Sequence, residues 1–422
     1  MNCSVSRSTL SGGISCPPNK SYTHRAVFLA SMAGGGSVVE GALLSGDTLS
    51  TIEACRRLGA DIDVRGDRVT VRRGVAPSCD VTIDAANSGT TIRMAAALAS
   101  LYGHTATLTG DASLQERPMQ PLLDALGALG ARCTSRGGRP PVTVSGPISG
   151  GAVSIRGNVS SQFVSALAMT APMAPRGMDI TIEGQMVSRP YLDMTLAAMR
   201  RFGVSARTVI PYRSYEIRPA RYESARFAVP MDFSSLALLL SAAVLCGDGS
   251  FRVRGGMDGL PQGDEAFLDI LEMMRVAVSV GEDAVSVAPP ERLGGGTFDL
   301  GNSPDLLPPL AILALKSEQP IVITGVGHAR LKETDRISII SSELSKMGVR
   351  IDERPDGMTL HPPRRVRGAA LDPRHDHRLF MAFCIAGMYA GESTVYGAES
   401  AAVSYPEFVR DMVAAGGVLD IA

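Results

Sequence analysis

Two short polar stretches place a lysine beside other polar side chains just before apolar segments. They are Lys20-Ser21-x-x-x-Arg25 and Lys332-Glu333-Thr334-Asp335-Arg336. Lysine is scarce in this chain, since 37 of the 41 basic residues are arginine. An ammonium group can release a proton or hold a phosphate as a point charge, whereas a guanidinium with a pKa above about 12 cannot act as an acid. The two lysines therefore indicate chemistry, although charge-paired, solvated helix turns are the plainer alternative.

Four further stretches carry hydroxyl, amide or guanidinium groups at similar positions. They are Asn87-Ser88-Gly89-Thr90-x-x-Arg93, Glu116-Arg117-Pro118, Ser160-Ser161-Gln162 and Ser188-Arg189-Pro190-Tyr191. Because Gly89 has no Cβ, a ligand can approach the backbone closely at this position. Each stretch alone also fits an ordinary helix cap or a proline in a first helical turn. As a set, they favour anion binding.

Asp305 follows Asn302-Ser303-Pro304 and is the carboxylate best suited to act as a general base, with helix capping as the alternative. Arg378 ends the run Arg374-His375-Asp376-His377-Arg378 and fits an anion clamp. The two histidines of that run are spaced i,i+2 without a third ligand nearby, which argues against a metal site. Seven positive candidates outnumber two negative ones in a chain of net charge −1. They are Lys20, Arg25, Arg93, Arg117, Lys332, Arg336 and Arg378 against Asp305 and Glu333. We therefore expect a small polyanion as substrate, and no metal.

Composition excludes several other classes of protein. Hydrophobic residues make up 45% of the 422 residues, which is enough for large buried cores. The balanced charge offers no overall field for nucleic acid or an anionic membrane. The first twenty residues have no signal-peptide pattern, and the seven cysteines have neither disulfide nor zinc spacing. A cytoplasmic protein with reduced thiols is expected.

A repeat of about 70 residues organises the elements that must position these side chains. Six strand-like segments end at Gly41, Gly110, Gly184, Gly255, Gly325 and Gly397, at intervals of 69 to 74 residues. A helix, a turn and a strand follow each segment, with the turns placed at Gly59, Gly130, Gly203, Arg275, Gly348 and Gly417. A second helix, apolar nearly all round and therefore predicted to be buried, precedes each segment. The pattern predicts an α/β fold of six repeated units.

The polar stretches fall mainly at the starts of these helices. A helix N-terminus carries partial positive charge and free N–H groups, so six of them facing one cleft would bind phosphate and carboxylate groups. Three units plus three units suggest two domains. We expect one domain at 19–230 and the other at 1–18 plus 231–422, with the crossover in the polar segment 218–232.

The stretches named above, taken with Pro304-Asp305 and Asp376-His377-Arg378, resemble the 5-enolpyruvylshikimate-3-phosphate synthase family in type and order over nearly the whole chain. The resemblance implies a two-domain inside-out α/β barrel of six units. It also implies an enzyme that moves the enolpyruvyl group of phosphoenolpyruvate to the 5-hydroxyl of shikimate 3-phosphate, on the pathway to chorismate and the aromatic amino acids. A monomer with small anionic substrates and no cofactor is expected.

The resemblance also assigns roles to residues of this chain. Asp305, Glu333 and Lys20 would be catalytic, with Asp305 taking the 5-hydroxyl proton. The residues expected to bind shikimate 3-phosphate are Lys20, Ser21, Arg25, Ser160, Ser161, Gln162, Ser188, Tyr191, Asp305, His328 and Lys332. Those expected to bind phosphoenolpyruvate are Lys20, Gly89, Thr90, Arg117, Gln162, Arg336 and Arg378.

Two positions depart from the family pattern. His328 stands where the family often has asparagine, and no lysine precedes Ser404-Tyr405-Pro406, where the family has one. One contact to phosphoenolpyruvate is therefore expected to be missing.

Three alternatives remain at this stage. A UDP-N-acetylglucosamine enolpyruvyl transferase shares the repeat architecture, but its loop cysteine has no counterpart in Gln115-Glu116-Arg117-Pro118. A non-catalytic anion-binding repeat protein would bind without turnover. An RNA-end-processing enzyme on a related fold would bind nucleotides and use a catalytic histidine.

Overall fold

Six four-stranded sheets of one plan hold the strands of the computed structural model, which describes residues 1–421. The strands are β1 (Asn2–Ser6), β2 (Gly13–Ser15), β3 (Ser37–Glu40), β4 (Asp61–Arg65), β5 (Arg68–Arg73), β6 (Val81–Asp84), β7 (Thr105–Thr109), β8 (Arg132–Arg136), β9 (Arg139–Ser145), β10 (Gly151–Arg156), β11 (Met178–Glu183), β12 (Arg207–Ile210), β13 (Ser214–Ile217), β14 (Arg226–Ala228), β15 (Phe251–Arg254), β16 (Ala277–Val280), β17 (Ala284–Ala288), β18 (Gly296–Asp299), β19 (Ile321–Thr324), β20 (Arg350–Arg354), β21 (Gly357–His361), β22 (Ala370–Leu371), β23 (Ser393–Tyr396) and β24 (Val418–Ile421).

The helices lie between these strands. They are α1 (Lys20–Met32), α2 (Gly46–Arg57), α3 (Gly89–Ala99), α4 (Ala112–Gln115), α5 (Gln120–Ala128), α6 (Ser161–Thr170), α7 (Pro190–Arg201), α8 (Phe233–Cys246), α9 (Ala266–Met273), α10 (Leu307–Ile312), α11 (Arg336–Lys346), α12 (His377–Ala390) and α13 (Phe408–Ala414).

Every sheet consists of a parallel pair followed by two antiparallel neighbours. The orders are β14-β3-β5-β4, β6-β7-β9-β8, β10-β11-β13-β12, β2-β15-β17-β16, β18-β19-β21-β20 and β22-β23-β1-β24, with the first two strands parallel in each. In the last sheet, β1 from the start of the chain lies between β23 and β24. The predicted α/β fold of six repeated units is confirmed.

Internal contacts divide the chain into two units. The N-terminal unit comprises residues 18–230 and 258–261, and the C-terminal unit comprises residues 1–17, 231–257 and the chain from Gln262 onwards. The first three sheets named above lie in the N-terminal unit and the other three in the C-terminal unit. Each unit has its own apolar core.

One helix in each repeat is buried almost all round, as its apolar pattern predicts. These helices are α1, α3 and α6 in the N-terminal unit and α8, α10 and α12 in the C-terminal unit. The side chains of Asn19, Ser88, Ser160, Asp232 and Asp376 cap five of them by accepting a backbone N–H bond from the first turn.

Hydrogen bonding sets the starts of two of these helices. Helix α1 begins at Lys20, because the side chain of Asn19 accepts from the backbone N–H of Tyr22 at 2.7 Å. The segment at Pro304 begins with a 3-10 turn, Pro304–Leu306, and α10 follows it. Pro308 and Pro309 have no N–H to bond to the carbonyls four residues earlier, so an α-helical first turn is not available there.

The other helix of each repeat ends in the same hydrogen-bonded turn. In all six, one residue has a φ between 69° and 112°. The N–H of the next residue donates to the carbonyl oxygen of the residue five positions before it, as in a Schellman motif. The positive-φ residues are Gly59, Gly130, Gly203, Arg275, Gly348 and Gly416. The turn predicted at Gly417 was wrong by one residue, because Gly417 is the residue that donates back, to Met412.

Arg275 is the exposed non-glycine member of this set, with φ of 69°. A left-handed conformation costs an L-residue about 1–2 kcal/mol, and glycine avoids this cost. Part of that gain in stability is lost because glycine raises the conformational entropy of the unfolded chain. Arg275→Gly should therefore raise the free energy of unfolding by about 0.5–1 kcal/mol in urea titration. The control Arg132→Gly, an exposed arginine of β8, should lower it, and equal losses in both variants would contradict the interpretation.

Candidate functional site

Gly89, the first residue of α3, lies at the centre of a polar cluster in the N-terminal unit. A Cβ at this position would lie 3.0 Å from Arg93 Nη1, 3.2 Å from Arg117 Nη1 and 3.6 Å from Gln162 Oε1. The missing side chain thus leaves room at a helix N-terminus where two guanidinium groups meet. Free backbone N–H groups and two nearby cations form an anion-binding arrangement.

Neighbouring side chains hold these two arginines. Arg93 donates to Gln162 Oε1, and its guanidinium lies 5.1 Å from the ring centroid of Phe163. Arg117 donates to Asn87 Oδ1 at 2.9 Å. The amide of Gln162 also donates to Thr90 Oγ1 at 3.1 Å. The predicted residues Gly89, Thr90, Arg117 and Gln162 therefore do come together.

The hydroxyls of Ser160 and Ser161 lie at the start of α6, next to Gln162. Ser160 caps the helix, and its Oγ accepts from the backbone N–H of Gln162 at 3.3 Å. Ser161 is buried, as expected of the first residue of an enclosed helix. These residues belong to the same cluster as Gly89, because Gln162 bonds to Arg93 and Thr90.

Arg25 connects a second group of predicted site residues through hydrogen bonds. It is only 1% exposed, and it donates to the backbone oxygens of Ser21 and Tyr191, both at 2.9 Å, and to Thr195 Oγ1 at 2.8 Å. Burial lowers the pKa of Arg25 to about 10, so it stays protonated at neutral pH. The positive charge of Arg25 therefore persists between α1 and α7.

Ser188 lies just before α7 in the left-handed region, with φ of 52°. Its carbonyl accepts from the backbone N–H of Tyr191 at 3.2 Å. Positive φ is uncommon for serine, and such backbone strain concentrates at functional positions. The structure therefore places Ser188 and Tyr191 in one tight turn linked to Arg25.

Lys20 forms an ion pair that the sequence did not indicate. Its Nζ lies 2.9 Å from Asp47 Oδ2, and the two side chains are only 13% and 9% exposed. Asp47 lies in the first turn of α2, where an acidic residue is usually read as balancing the helix dipole. For that reason sequence reasoning missed it as a partner of Lys20.

Arg336 is the centre of the polar cluster in the C-terminal unit. It is 1% exposed and donates to Asp305 Oδ1, Glu333 Oε2 and Asp376 Oδ2, each at 2.8 Å. Burial would lower the pKa of Arg336, but the carboxylates of Asp376, Glu333 and Asp305 outweigh it and raise the pKa well above the usual value. One guanidinium thus holds three carboxylates in a fixed arrangement.

Asp305 is surrounded by cations. Besides Arg336, it lies 3.3 Å from Arg378 Nη2 and 3.9 Å from Lys332 Nζ. The predicted residues Asp305, Lys332, Glu333, Arg336 and Arg378 therefore form one cluster. Because Asp305 is only 8% exposed, its carboxylate lies in a protected environment where these charges act strongly.

Two groups beside this cluster have lowered pKa values. Burial, more than any nearby charge, lowers the pKa of Lys332, and the charge of Asp305 offsets part of this effect. Burial and the charge of Lys332 lower the pKa of His328 to about 4, against the raising effect of Asp305. His328 is therefore a neutral imidazole at pH 7 and can accept as well as donate a hydrogen bond.

Asp376 and Asp264 are two buried carboxyls of this cluster that were not chosen from the sequence. Asp376 caps α12, accepting from the backbone N–H groups of Arg378 and Leu379, and also binds Arg336. Its place between His375 and His377 drew attention to metal binding instead. Asp264 is 5% exposed and accepts from Ser234 Oγ. Nothing in the local sequence distinguishes Asp264 from a surface acid.

Two features of the described residues bear on other classes of function. Residues 1–421 do not bring three His, Cys, Asp or Glu side chains together in a way that could hold a metal ion. In the described part of the chain, none of the helices has both the length and the apolar character needed to cross a membrane.

The repeated sheets are those of a family of transferases. The family model for EPSP synthase (3-phosphoshikimate 1-carboxyvinyltransferase) matches residues 5–412. The chain belongs to the EPSP synthase family, whose two-domain inside-out α/β barrel is its fold class.

Named relatives agree with this family. The chain is 56% identical to a 3-phosphoshikimate 1-carboxyvinyltransferase of Nitrosopumilus maritimus over 413 residues, covering 98% of both chains. It is 43% identical to one of Methanocorpusculum labreanum over 417 residues, again covering 98% of both. A solved EPSP synthase of Acinetobacter baumannii superimposes with a TM-score of 0.82 at 25% identity, covering 100% of this chain and 99% of the other.

Asp264 provides a test of the buried charges. Burial, followed by the charge of Asp305, raises its pKa from 3.8 to about 7. The folded state therefore binds this proton more tightly than the unfolded state, so stability is greatest below the unfolded pKa and falls as pH rises from about 4 to 7. Asp264→Asn should remove that fall in urea unfolding measured across this range. The control Asp248→Asn, an exposed carboxyl, should leave it unchanged, and a slope that persists in Asp264→Asn would contradict the assignment.

Proposed function

We propose that the protein transfers the carboxyvinyl group of phosphoenolpyruvate to the 5-hydroxyl of shikimate 3-phosphate, with release of phosphate, and that residues of each cluster serve this reaction. Membership of the EPSP synthase family supplies the reaction and its place in aromatic amino acid biosynthesis. The observation that carries the assignment of residues is the contact of Asp305 with Arg336 and Arg378. A buried carboxylate among cations suits proton removal beside bound anions.

The N-terminal unit supplies the hydroxyl and backbone groups. We assign Ser160, Ser161, Ser188 and Lys332 to the 3-phosphate. Ser21, Arg25, Gln162, Tyr191 and His328 complete the binding of the shikimate ring and its hydroxyls. The geometry in favour is that Arg25 links Ser21 to Tyr191, and Gln162 follows the two serines at the start of α6.

Phosphoenolpyruvate is assigned to the cations and to the open helix terminus. Gly89, Thr90, Arg117 and Gln162 provide one set of groups, and Lys20, Arg336 and Arg378 provide the rest. Phosphate and carboxylate oxygens match the forked N–H groups of arginine, which can bind each anion through two parallel bonds.

The chemical steps follow from the groups available. Asp305 accepts the proton of the 5-hydroxyl while the oxygen of that hydroxyl attacks C2 of phosphoenolpyruvate. The methylene carbon of phosphoenolpyruvate takes up a proton in the same step. In the resulting tetrahedral intermediate, phosphate leaves and a methyl proton is removed, which restores the double bond. Glu333 and Lys20 donate and accept the protons that move at the methylene carbon and at the leaving phosphate. Arg336 and Arg378 stabilise the charge that develops at the anionic groups.

The direct test is release of inorganic phosphate by the purified protein with both substrates, and with each omitted in turn. Release should require both, and Asp305→Asn should reduce kcat by about 100-fold or more. Release with UDP-N-acetylglucosamine in place of shikimate 3-phosphate would favour the rival transferase. Binding of both substrates without phosphate release would contradict catalysis.

We further propose that the protein acts in the cytoplasm as a monomer, with small anionic molecules rather than nucleic acid as its partners. The balanced net charge of −1 supports the absence of a nucleic-acid partner. Size-exclusion chromatography with light scattering should give 44.2 kDa. A mass of twice that value would contradict the monomer.

Gly89→Ala tests the proposed phosphoenolpyruvate position. The added Cβ would lie 3.0 Å and 3.2 Å from the terminal nitrogens of Arg93 and Arg117, so the two guanidinium groups must shift while the backbone need not. The KM for phosphoenolpyruvate should rise by about 10-fold or more, with little change in the KM for shikimate 3-phosphate.

Gly127→Ala is the matched control for this substitution. Gly127 lies inside α5, and a Cβ there would meet no atom within 4 Å. This variant should keep both KM values and gain slightly in stability from its better helix propensity. Equal KM values in Gly89→Ala and the wild type would place phosphoenolpyruvate elsewhere.

A further inference from the structure

Asp47 is a buried carboxylate that none of the roles above includes. Its Oδ2 lies 2.9 Å from Lys20 Nζ. Among residues 1–421, no other carboxylate oxygen lies within 4.0 Å of that nitrogen. With 9% exposure for Asp47 and 13% for Lys20, this pair is far better shielded from water than the exposed ion pairs of the same helix, such as Glu53 with Arg57.

A second contact repeats the pair one helical turn further along both helices. His24 lies four residues after Lys20 on α1, and Thr51 lies four residues after Asp47 on α2. His24 Nδ1 and Thr51 Oγ1 are 2.7 Å apart. The two helices are thus joined at consecutive turns, and the separation of Lys20 and Asp47 is set by their packing rather than by free side chains.

Buried hydroxyls extend this connection to the helix that starts at Gly89. Thr51 Oγ1 lies 2.6 Å from Thr91 Oγ1, and Thr91 donates to Ser88 Oγ at 2.8 Å. Ser50 Oγ donates to the backbone oxygen of Asp47 at 2.7 Å and so holds the residue itself. The starts of α1, α2 and α3 therefore form one hydrogen-bonded assembly.

This assembly carries no compensating charge other than Asp47. Burial, followed by the charges of Lys20 and Arg25, lowers the pKa of His24 well below its usual value, so His24 is neutral. Within the described residues its Nε2 has no hydrogen-bond partner, which agrees with an uncharged ring. Only Asp47 therefore offsets the ammonium charge in this assembly, and its bond leaves two of the three Lys20 N–H groups for a ligand.

We propose that Asp47 is a positioning residue for the reaction: it anchors the Lys20 ammonium through α2 and keeps its two remaining N–H groups directed at the reacting phosphate. The inference rests on the role of Lys20 in the proposed function. If it holds, the contribution of Lys20 to the reaction depends on the contact between α1 and α2 as well as on the lysine itself. A displacement of about 1 Å at a reacting group is enough to cost about 100-fold in rate.

The test is Asp47→Asn, which keeps the shape of the side chain but removes its charge. The variant should fold with an unchanged circular dichroism spectrum. Its kcat for phosphate release should fall about 10- to 100-fold, while the KM for each substrate changes less than about threefold, because Lys20 is misplaced rather than lost. A merely structural role would lower the amount of folded enzyme without changing the kcat of the folded fraction.

Two further variants make the result specific. Glu53→Gln removes a carboxylate from the exposed side of the same helix and should leave kcat unchanged. In a Lys20→Arg background, which should itself lose orders of magnitude in turnover, Asp47→Asn should cost less than about twofold more, because the group it positions is already altered.

The possible outcomes separate this inference from the proposed function. If the wild type releases no phosphate with both substrates, the proposed function fails. If the wild type is active and Asp47→Asn keeps its kcat within about twofold, the positioning role is overturned while the function stands. Full additivity of Asp47→Asn and Lys20→Arg would also overturn it, since independent sites add.

Discussion

The contact of one buried guanidinium with three carboxylates is the interaction on which the C-terminal unit depends. Arg336 starts α11, Asp376 caps α12, and Asp305 lies in the turn that leads into α10. The starts of three helices are thus joined through a single side chain. Removing two or more charges from water costs several kcal/mol per ion, and only close hydrogen bonds to opposite charges offset this cost. The bonds of 2.8 Å to Arg336 meet that condition. The same bonds hold Asp305 and Glu333 in defined positions, as the proton transfer proposed for them requires.

In the N-terminal unit, the starts of the buried helices are also joined by polar contacts, but with fewer charged groups. There the starts of α1, α2 and α3 are joined by Lys20 with Asp47 and by a chain of buried hydroxyls, and α6 is added through Gln162. In both units the buried helices belong to the apolar core over most of their length, and most of them carry polar side chains at or beside their first turns. The rigid core therefore fixes where the N–H groups and charges lie. Preorganised groups of this kind stabilise developing charge without moving during the reaction.

The repeat could be predicted from the sequence because it rests on local rules. Strand, glycine turn and apolar helix recur at about 70 residues, and the Schellman turns even extend to Arg275, which was placed correctly without a glycine. The candidate site residues could be selected because polar side chains at the starts of apolar helices are conspicuous. Asp47, Asp264 and the ion pair of Asp376 with Arg336 were missed because their meaning comes from partners distant in the chain, such as Lys20 for Asp47 and Arg336 for Asp376. The one-residue error at Gly416 arose where a hydrogen bond, rather than hydropathy, sets the boundary.

The most direct measurement of the central claim is the free energy of unfolding of Arg336→Leu as a function of pH, with Arg330→Leu as control. Arg330 also binds two carboxylates, those of Asp335 and Glu353, but its side chain is 24% exposed against 1% for Arg336. At pH 7 Arg336→Leu should lose about 3–5 kcal/mol, because three buried carboxylates lose their counter-charge, and the control should lose about 1 kcal/mol or less. Towards pH 4 the loss in Arg336→Leu should shrink as protons neutralise the carboxylates. A loss at pH 7 no larger than that of the control would show that Arg336 does not hold the cluster together.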